Sequence, residues 1–377
     1  MPKLFSINAG LSLPLRKPFL LYLCPLLFLA ARSFSQDSSS SFSVSAYADA
    51  YIAFYTDSLG PGEYQKFPTV SPRSEQFGLN IAQVSAKYSG KIVRGVVTLQ
   101  YGDIPKSSWS TTFNFIQEAN VGIRICKNLW FDGGFFRTHI GTEALLPKEN
   151  YTSSIAVLTY YEPFYQAGFR LNYNPNDKLS LFLYLLNGYN LYEDNNKKKS
   201  LGVLATYAVN DKINFGYDNY LGDDSPVGDS ISRLRFYNNL FLNLKFSKVK
   251  ITAGSDFCMQ AHSQIEDADK TAAMINGLFI LSYDVAKKSR IYGRTEFFND
   301  SDGCVSGIFP DNKNQLAGLK LWGFTLGGEY KPTENSYIRV EGRELVANDA
   351  QKIFYWNGEN KNTRFEAMLN FGVWFPQ

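Results

Sequence analysis

The chain has 377 residues, with 38 Lys and Arg against 35 Asp and Glu, and this near balance argues against a nucleic-acid partner. Its 24 Tyr, 30 Phe and mean hydropathy of −0.22 exclude a protein that crosses a membrane with helices, but they suit a β-barrel with a wet interior.

Residues 1–35 have the pattern of a secretory signal peptide. Basic residues precede the apolar stretch 18–31, and small residues precede a predicted cut before Gln36. The stretch is shorter than the ~20 residues of a transmembrane helix. A lipoprotein signal at Cys24 fits poorly because Leu23 and Pro25 flank it. Four of the 38 basic residues and none of the 35 acidic ones lie here, so the mature chain 36–377 has a formal charge near −1.

The first segment of the mature chain, 42–55, alternates apolar and polar side chains, as a β-strand with two different faces does. One face carries Phe42, Val44, Ala46, Ala48, Ala50, Ile52 and Phe54. The last segment, 363–375, repeats the pattern, with Phe365, Ala367, Leu369, Phe371, Val373 and Phe375 opposite Arg364, Glu366, Met368 and Asn370. Such terminal strands can pair and close a barrel, and an apolar outer face places that barrel in a membrane.

Strand-like segments recur along the chain, and their connections alternate strictly between two kinds. Tight turns rich in Gly, Asn, Asp and Pro fall at 89–91, 126–128, 174–178, 210–211, 247–248, 286–289 and 331–335. Long polar loops fall at 56–77, 103–114, 138–164, 188–199, 221–232, 262–271, 299–318 and 347–362. Fifteen connections predict an all-β, closed antiparallel transmembrane barrel of about sixteen strands, with short periplasmic turns and long extracellular loops.

A secreted β-sandwich or a repeat array is the alternative. Either explains the alternation, but neither explains the alternating loop lengths or strands of ten or more residues, since strands in soluble proteins usually have about five or six. Aromatic residues near strand ends predict membrane-interface girdles. These are Tyr101, Trp130, Phe131, Tyr173, Tyr207, Trp322, Tyr330, Trp374 and Phe375.

The predicted mature chain keeps three cysteines: Cys126, Cys258 and Cys304. They are odd in number and widely separated, and they lack the spacing of metal ligands. The sequence therefore indicates neither a disulfide framework nor a zinc site.

Several segments resemble the OmpL-like β-barrel porin family, most densely from about residue 45 to about residue 245. They are Ser71-Pro72-Arg73-Ser74, Gly78-Leu79-Asn80-Ile81-Ala82-Gln83, Tyr101-Gly102-Asp103-Ile104-Pro105 with Trp109, Ile116-Gln117-Glu118-Ala119-Asn120-Val121-Gly122, Gly134-Phe135-Phe136-Arg137-Thr138-His139-Ile140-Gly141-Thr142-Glu143 and Leu186-Asn187-Gly188-Tyr189-Asn190. The resemblance implies an outer-membrane barrel with a channel role.

Charged residues on the polar strand faces are the physical basis of a pore, because so many charges cannot face lipid. The strand phases also place Asp49, Lys87 and Asp256 in the lumen. The predicted pore-lining residues are Arg94, Glu118, Arg124, Asp132, Arg137, His139, Glu143, Arg170, Arg235, Arg294, Glu296, Arg339, Glu341 and Arg343. Charges of both signs can tune ion selectivity, although each residue on its own can equally be a solvated or paired side chain of a wide barrel.

The loop 138–164 is the best candidate for a segment that folds inward and narrows the pore, and an ordinary extracellular loop is its alternative. His139 and Glu143 within it could form an acid/base pair, but no nucleophile or metal motif accompanies them. The loop carboxylates Asp223, Asp224, Glu266, Asp267 and Asp269 could hold calcium, although solvated carboxylates are the simpler interpretation.

The leading hypothesis is an outer-membrane porin for passive diffusion of small hydrophilic solutes, with lipid as its other partner and self-association left open. It implies no catalytic residue, no cofactor and no metal. A surface adhesin or binding barrel with a plugged lumen, acting through its long loops, is the alternative. A membrane-embedded hydrolase that uses His139 is the third hypothesis.

Overall fold

The computed structural model describes residues 40–57, 60, 62–310 and 315–375, so the predicted signal peptide, 1–35, lies outside the described residues. Among the described residues, no helix is both long enough and apolar enough to cross a membrane.

In the described part of the chain, the alternating segments form sixteen strands that close into one antiparallel barrel. The barrel strands are β1 (Ser41–Tyr55), β2 (Phe77–Ser89), β3 (Val93–Tyr101), β4 (Ile116–Cys126), β5 (Leu129–Arg137), β6 (Tyr165–Tyr173), β7 (Leu179–Leu186), β8 (Ser200–Asn210), β9 (Ile213–Asp223), β10 (Leu234–Phe246), β11 (Val249–Gln260), β12 (Ala272–Ala286), β13 (Ser289–Asn299), β16 (Lys320–Tyr330), β17 (Ser336–Ala347) and β20 (Thr363–Phe375). Consecutive barrel strands pair with each other, and β1 pairs with β20 from Ala46↔Phe375 to Tyr55↔Glu366. The predicted fold class is therefore confirmed.

The connections alternate between tight turns and long loops, as the sequence predicts. The loops carry their own short elements: two hairpins, β14 (Phe309–Pro310) with β15 (Leu316–Ala317) and β18 (Phe354–Trp356) with β19 (Glu359–Lys361). Helices span Asp103–Ser108 and Val157–Tyr161, and a 3-10 turn spans Pro147–Glu149.

The barrel wall has its apolar side chains on the outside and its polar side chains on the inside, the reverse of the arrangement in a soluble protein. On β1 the outward residues Phe42, Val44 and Phe54 are exposed, whereas the inward Tyr51 and Asp49 are buried. The same holds on β20, where Phe365, Phe371, Val373 and Phe375 are exposed while Arg364, Glu366 and Asn370 are fully buried. An outer surface of exposed large apolar side chains requires an apolar solvent, so the barrel wall faces lipid.

Two residues of the predicted aromatic girdles are exceptions. Trp130 lies inside the barrel in contact with the guanidinium groups of Arg94 and Arg124, and Trp374 packs against Tyr337 on the inner face. The girdle prediction was wrong for both, because strand parity puts Trp130 on the same face as the buried Asp132. The other seven are exposed on the outer face.

The face assignment predicts that the same substitution has very different effects on stability at two positions that lie at a similar depth in the membrane. Leu240 in the middle of β10 is 60% exposed on the outer face, so Leu240→Arg should destabilise the barrel by about 2–4 kcal/mol in a bilayer. Thr206 on β8 faces the lumen, and Thr206→Arg should cost much less because the guanidinium stays in water. Equilibrium unfolding in lipid vesicles measures both, and equal losses would contradict the face assignment.

Candidate functional site

The loop 138–164 folds into the barrel. It connects the neighbouring strands β5 and β6, yet residues 152–158 contact β13 and β17 on the opposite wall. Thr152, Ser153 and Ile155 have no exposed surface. A backbone buried in this way needs a hydrogen-bond partner for each polar group, and the barrel wall supplies many of them.

Carboxylates of the wall hold the N–H groups of the loop. Glu341 on β17 accepts hydrogen bonds from the backbone of Ser153 (2.6 Å) and Ser154 (2.9 Å). Glu296 on β13 accepts one from Val157 at 2.6 Å, at the start of the short helix. Ionised acceptors make stronger bonds than neutral ones, so these contacts fix the loop firmly.

Arginines of the same wall hold the loop's carbonyl groups. Arg339 donates to the main-chain oxygens of Pro147 (2.7 Å), Thr152 (2.9 Å) and Asn150 (2.9 Å). Arg294 donates to the main-chain oxygen of Ser154 (2.8 Å). A guanidinium has five donors in a fixed fork, which lets one side chain bind several carbonyls at once.

These wall charges also pair with each other, and the loop covers them. Arg343 donates to Glu296 at 2.6 Å and lies 3.5 Å from Glu366 on β20. The side chains of Arg294, Arg339 and Arg343 are at most 3% exposed. Five predicted pore-lining residues therefore lie beneath the loop and not on an open water surface: Arg294, Glu296, Arg339, Glu341 and Arg343.

Glu143 binds the loop internally and to the wall. Its carboxylate accepts hydrogen bonds from the Ala156 backbone (2.6 Å), from Thr152 Oγ1 (3.2 Å) and from Arg294 (3.0 Å). The proposed acid/base partner His139 is held by other groups. Its Nε2 donates to the main-chain oxygen of Asn219 (2.9 Å), and its Nδ1 lies 2.7 Å from the Gln166 amide.

His139 behaves as a packing residue. Its ring stacks on Tyr184 with centroids 4.1 Å apart, and burial lowers the pKa of His139 below 6.5, so that the imidazole is neutral at pH 7. Both ring nitrogens are engaged by neutral groups, which is not the arrangement of a general base oriented by a carboxylate.

Two glycines let the loop approach the β8–β11 side of the barrel. A Cβ at Gly202 would lie 2.5 Å from the His139 ring, and a Cβ at Gly254 would lie 2.0 Å from Thr142 Oγ1. The inward position of the loop thus depends on small residues in the wall as well as on charges. The alternation of apolar and polar residues along a strand does not indicate where such room for a loop is left.

A second set of carboxyl groups meets the loop near its end. Glu162 accepts a hydrogen bond from Tyr237 (3.3 Å) and shares one with Asp256, which also accepts from Asn239 at 2.7 Å. Burial, followed by the carboxylates of Asp256, Asp218 and Glu143, raises the pKa of Glu162 well above 4.5. A protonated Glu162 can donate to its neighbour, whereas an ionised one would be repelled.

Open space remains beside the loop. A cavity of about 510 Å³ lies between it and strands β4–β10, where Glu118, Arg137, Arg170, Thr206 and Phe241 are among its lining residues. A second cavity of about 420 Å³ lies toward the short turns and is lined by Lys212, Asn243 and Lys245 among others. Thr142, Glu143 and Ala144 border both cavities, so the loop stands between them.

The wall opposite the buried network carries an arginine cluster. Arg94 forms a two-point ion pair with Asp132 (2.7 and 2.6 Å), and Arg170 donates to the same carboxylate at 3.0 Å. Arg94 and Arg124 lie 4.4 and 4.8 Å from the centre of the Trp130 ring. Two guanidinium groups thus share one buried carboxylate while a third lies on the neighbouring Trp130 ring, and this part of the lumen has an excess of positive charge.

Other loops also enter the outer half of the barrel, which the sequence interpretation missed. Buried Asp103 accepts hydrogen bonds from Tyr51 (2.7 Å), Tyr64 (2.8 Å) and Arg73 (3.1 Å) and so joins the first two long loops. An interior apolar cluster combines loop and strand residues, among them Phe67, Val157, Leu158, Cys304, Leu319, Phe354, Met274 and Leu345. The apolar residues within the long loops are the signal in the sequence that could have predicted this interior cluster.

The remaining predicted residues are placed as follows. Arg235 donates to the main-chain oxygen of Cys304 (3.1 Å) and to Gln260 (2.8 Å), so it anchors a loop. Arg137, which lines the larger cavity, pairs with Glu149, which lines the smaller one. Glu118 is half-buried and lines that cavity.

The carboxylates considered for calcium have other partners. Asp223 pairs with Lys198, and Asp224 accepts hydrogen bonds from Tyr220 (2.6 Å) and the Tyr189 backbone (2.9 Å). Asp267 pairs with Lys270 at 3.2 Å. Across the described residues, no group of three or more His, Cys, Asp and Glu side chains is arranged to hold a metal ion.

A closed sixteen-strand barrel with a lipid-facing exterior and a charged interior narrowed by its loops defines an outer-membrane β-barrel of the porin type. The chain belongs to the family described as Putative beta-barrel porin-2, OmpL-like, whose model matches residues 41–375. The resemblance seen in the sequence is thereby confirmed. No curated protein matches the sequence.

Solved structures share the fold at low sequence identity. The outer membrane channel DcaP of Acinetobacter baumannii is 10% identical with a TM-score of 0.58, over 90% of this chain and 99% of that chain. OmpT of Vibrio cholerae is 10% identical with a TM-score of 0.56, over 91% and 99%. Salmonella typhi OmpF in complex with daunomycin is 12% identical with a TM-score of 0.53, over 90% and 99%. Identities this low support the common fold alone.

The raised pKa of Glu162 predicts a pH dependence with a definite sign. The folded protein holds the proton more tightly than the unfolded chain, so the contribution of Glu162 is complete below about pH 4.5 and is lost as the pH rises through the folded pKa. Glu162→Gln removes this loss. The melting temperature of the variant minus that of the wild type should therefore increase with pH above about 4.5.

Glu149→Gln is the matched control for this prediction. Burial raises the pKa of Glu149, but the charge of Arg137 outweighs it, and the net pKa is lowered. Glu149 is consequently ionised in both states above about pH 5, so its substitution should shift the melting temperature without changing its slope with pH there. Parallel curves for wild type and Glu162→Gln would refute the prediction.

Proposed function

We propose that the protein is a diffusion channel for small hydrophilic solutes, with loop 138–164 as its constriction. The observation that carries the proposal is the pair of cavities on either side of loop residues Thr142, Glu143 and Ala144, which lie along the β4–β12 side of the lumen and both have charged side chains in their lining. Membership of a porin family supports it. Charged groups at the larger cavity, including Glu118, Arg137 and Arg170, suit hydrated solutes.

The loop sets the width of the channel through the buried network. Because Arg294, Arg339, Glu296 and Glu341 hold its backbone directly, the constriction is rigid and does not depend on a mobile lid. No bond is made or broken in this function. The engagement of His139 with Asn219 and Gln166 favours a channel over a hydrolase.

A plugged binding barrel is the second candidate, and one observation favours it. The apolar cluster formed by Phe67, Leu158, Cys304 and Phe354 fills part of the outer half of the lumen, where a wide pore would have water. In that case the long loops would act as a binding surface on the cell exterior.

Conductance in planar bilayers separates the two. The channel proposal expects stepwise, ohmic currents from the refolded protein. Thr206→Trp should lower the unit conductance because Thr206 lines the larger cavity, whereas Ala205→Trp on the outer face should not. A correctly folded barrel, recognised by its heat-modifiable gel mobility, that carries no current would establish the plugged alternative.

The arginine cluster predicts a preference for anions. Arg94→Gln with Arg124→Gln removes positive charge while Arg170 still pairs with Asp132 at 3.0 Å, so no carboxylate is left unpaired. The zero-current potential in a KCl gradient should move toward cation selectivity, by about twofold or more in permeability ratio. Lys127→Gln, on the tight turn next to β4, is the control, because it also removes one positive charge for each substituted residue but lies outside the cluster. Equal shifts in both proteins would count against the cluster.

A further inference from the structure

Two cysteines that are far apart in the sequence meet inside the barrel. Cys258 points inward from β11 and has no exposed surface, and Cys304 lies in the connection between β13 and β16 and is 7% exposed. Both belong to the interior apolar cluster, together with Met274 and Leu319. The spacing of the cysteines in the sequence gives no sign of a pair, but the fold brings these two together.

The side chains of Cys258 and Cys304 are neighbours in this cluster, and the Cys258 side chain raises the pKa of the Cys304 thiol. The neighbouring strand β10 contacts both cysteines. Arg235 donates a hydrogen bond to the main-chain oxygen of Cys304 (3.1 Å), and Tyr237 is the strand partner of Cys258. Strand β11 and the connection between β13 and β16 thus each contribute one cysteine to the same part of the apolar cluster.

The loop backbone around Cys304 is held in place independently of its thiol. The carboxylate of Asp300 accepts hydrogen bonds from the backbone N–H groups of Cys304 (2.9 Å), Val305 (2.9 Å) and Ser306 (2.8 Å). It also accepts from the Cys304 thiol at 3.2 Å. Loss of the thiol proton would cost Asp300 only one of several donors, so a covalent bond at sulfur is compatible with this turn.

We propose that Cys258 and Cys304 form a disulfide bond in the mature protein and thereby fasten the connection between β13 and β16 inside the lumen. The outer membrane borders an oxidising compartment, where disulfides form and persist. The bond makes the inward position of this loop permanent.

The oxidant is a disulfide of the cell envelope, either in a protein or in a small molecule. A thiolate of one cysteine attacks it and forms a mixed disulfide, and the second thiolate then displaces the oxidant's sulfur. The two thiols lose two protons and two electrons, and the oxidant's disulfide becomes two thiols. The Cys258 side chain, together with burial, raises the pKa of the Cys304 thiol, which keeps it unreactive once packed. Oxidation therefore precedes the final packing of the loop.

Cys126 provides an internal control. It is exposed at the end of β4 near a tight turn, and its thiol donates to the main-chain oxygen of Lys127. All three cysteines of the described residues carry free thiols in the structure, and a bond between Cys258 and Cys304 would leave Cys126 as the unpaired one.

Peptide mapping of protein purified from native membranes without reductant tests the proposal. The protein is denatured, alkylated with N-ethylmaleimide and digested, with and without prior reduction. We expect Cys126 to be alkylated in both samples, and Cys258 and Cys304 only after reduction, with a cross-linked peptide pair joining them. Full alkylation of Cys258 and Cys304 in the unreduced sample, or a cross-link to Cys126, would overturn the proposal.

Variants test the consequence for the loop. Cys304→Ser should make Cys258 reactive after denaturation without reductant, and Cys126→Ser should leave the cross-link intact. Limited proteolysis of the folded wild type should cleave residues 300–310 and 315–319 several-fold faster after reduction than before. Equal cleavage before and after reduction would overturn the role of the bond in holding the loop, and the mapping of wild-type protein stays decisive if Cys304→Ser fails to insert.

Discussion

The constraint on which the structure depends is that a backbone in hydrocarbon has no water to bind. Every strand must find a partner on both sides, so the first strand, β1, has to pair with the last, β20. Closure in turn divides each strand into a lipid face and an inner face. Residues such as Arg364 and Glu366, fully buried on β20, are tolerated because closure gives them a polar interior.

The same requirement operates again inside the barrel. A loop that enters the lumen leaves water, and loop 138–164 replaces it with charged side chains of the wall. Glu296 and Glu341 take its N–H groups, and Arg294 and Arg339 take its carbonyls. Buried ion pairs on their own often cost more than they return. Here each charge also satisfies backbone groups, so removal of one would leave several polar atoms without partners.

The interior is asymmetric, and this asymmetry connects the packing to the function. One wall, from β13 to β20, is covered and nearly neutral because its Arg and Glu side chains pair with each other. The other wall keeps free volume and an excess of arginine around Asp132. In the proposed channel, a solute would therefore pass between a polar loop and a positively charged surface.

The sequence by itself determined the barrel, its number of strands and the side of most strand residues, because side chains alternate across a strand and the inner and outer solvents differ. It could also place Arg294, Glu296 and Arg343 on the inner face. Only the tertiary structure decided that these charges lie under a loop, that His139 bonds to Asn219 and not to Glu143, and that Cys258 meets Cys304. Those contacts join residues from strands and loops far apart in the chain, and strand periodicity carries no information on how a long loop folds back through the space that the closed barrel encloses.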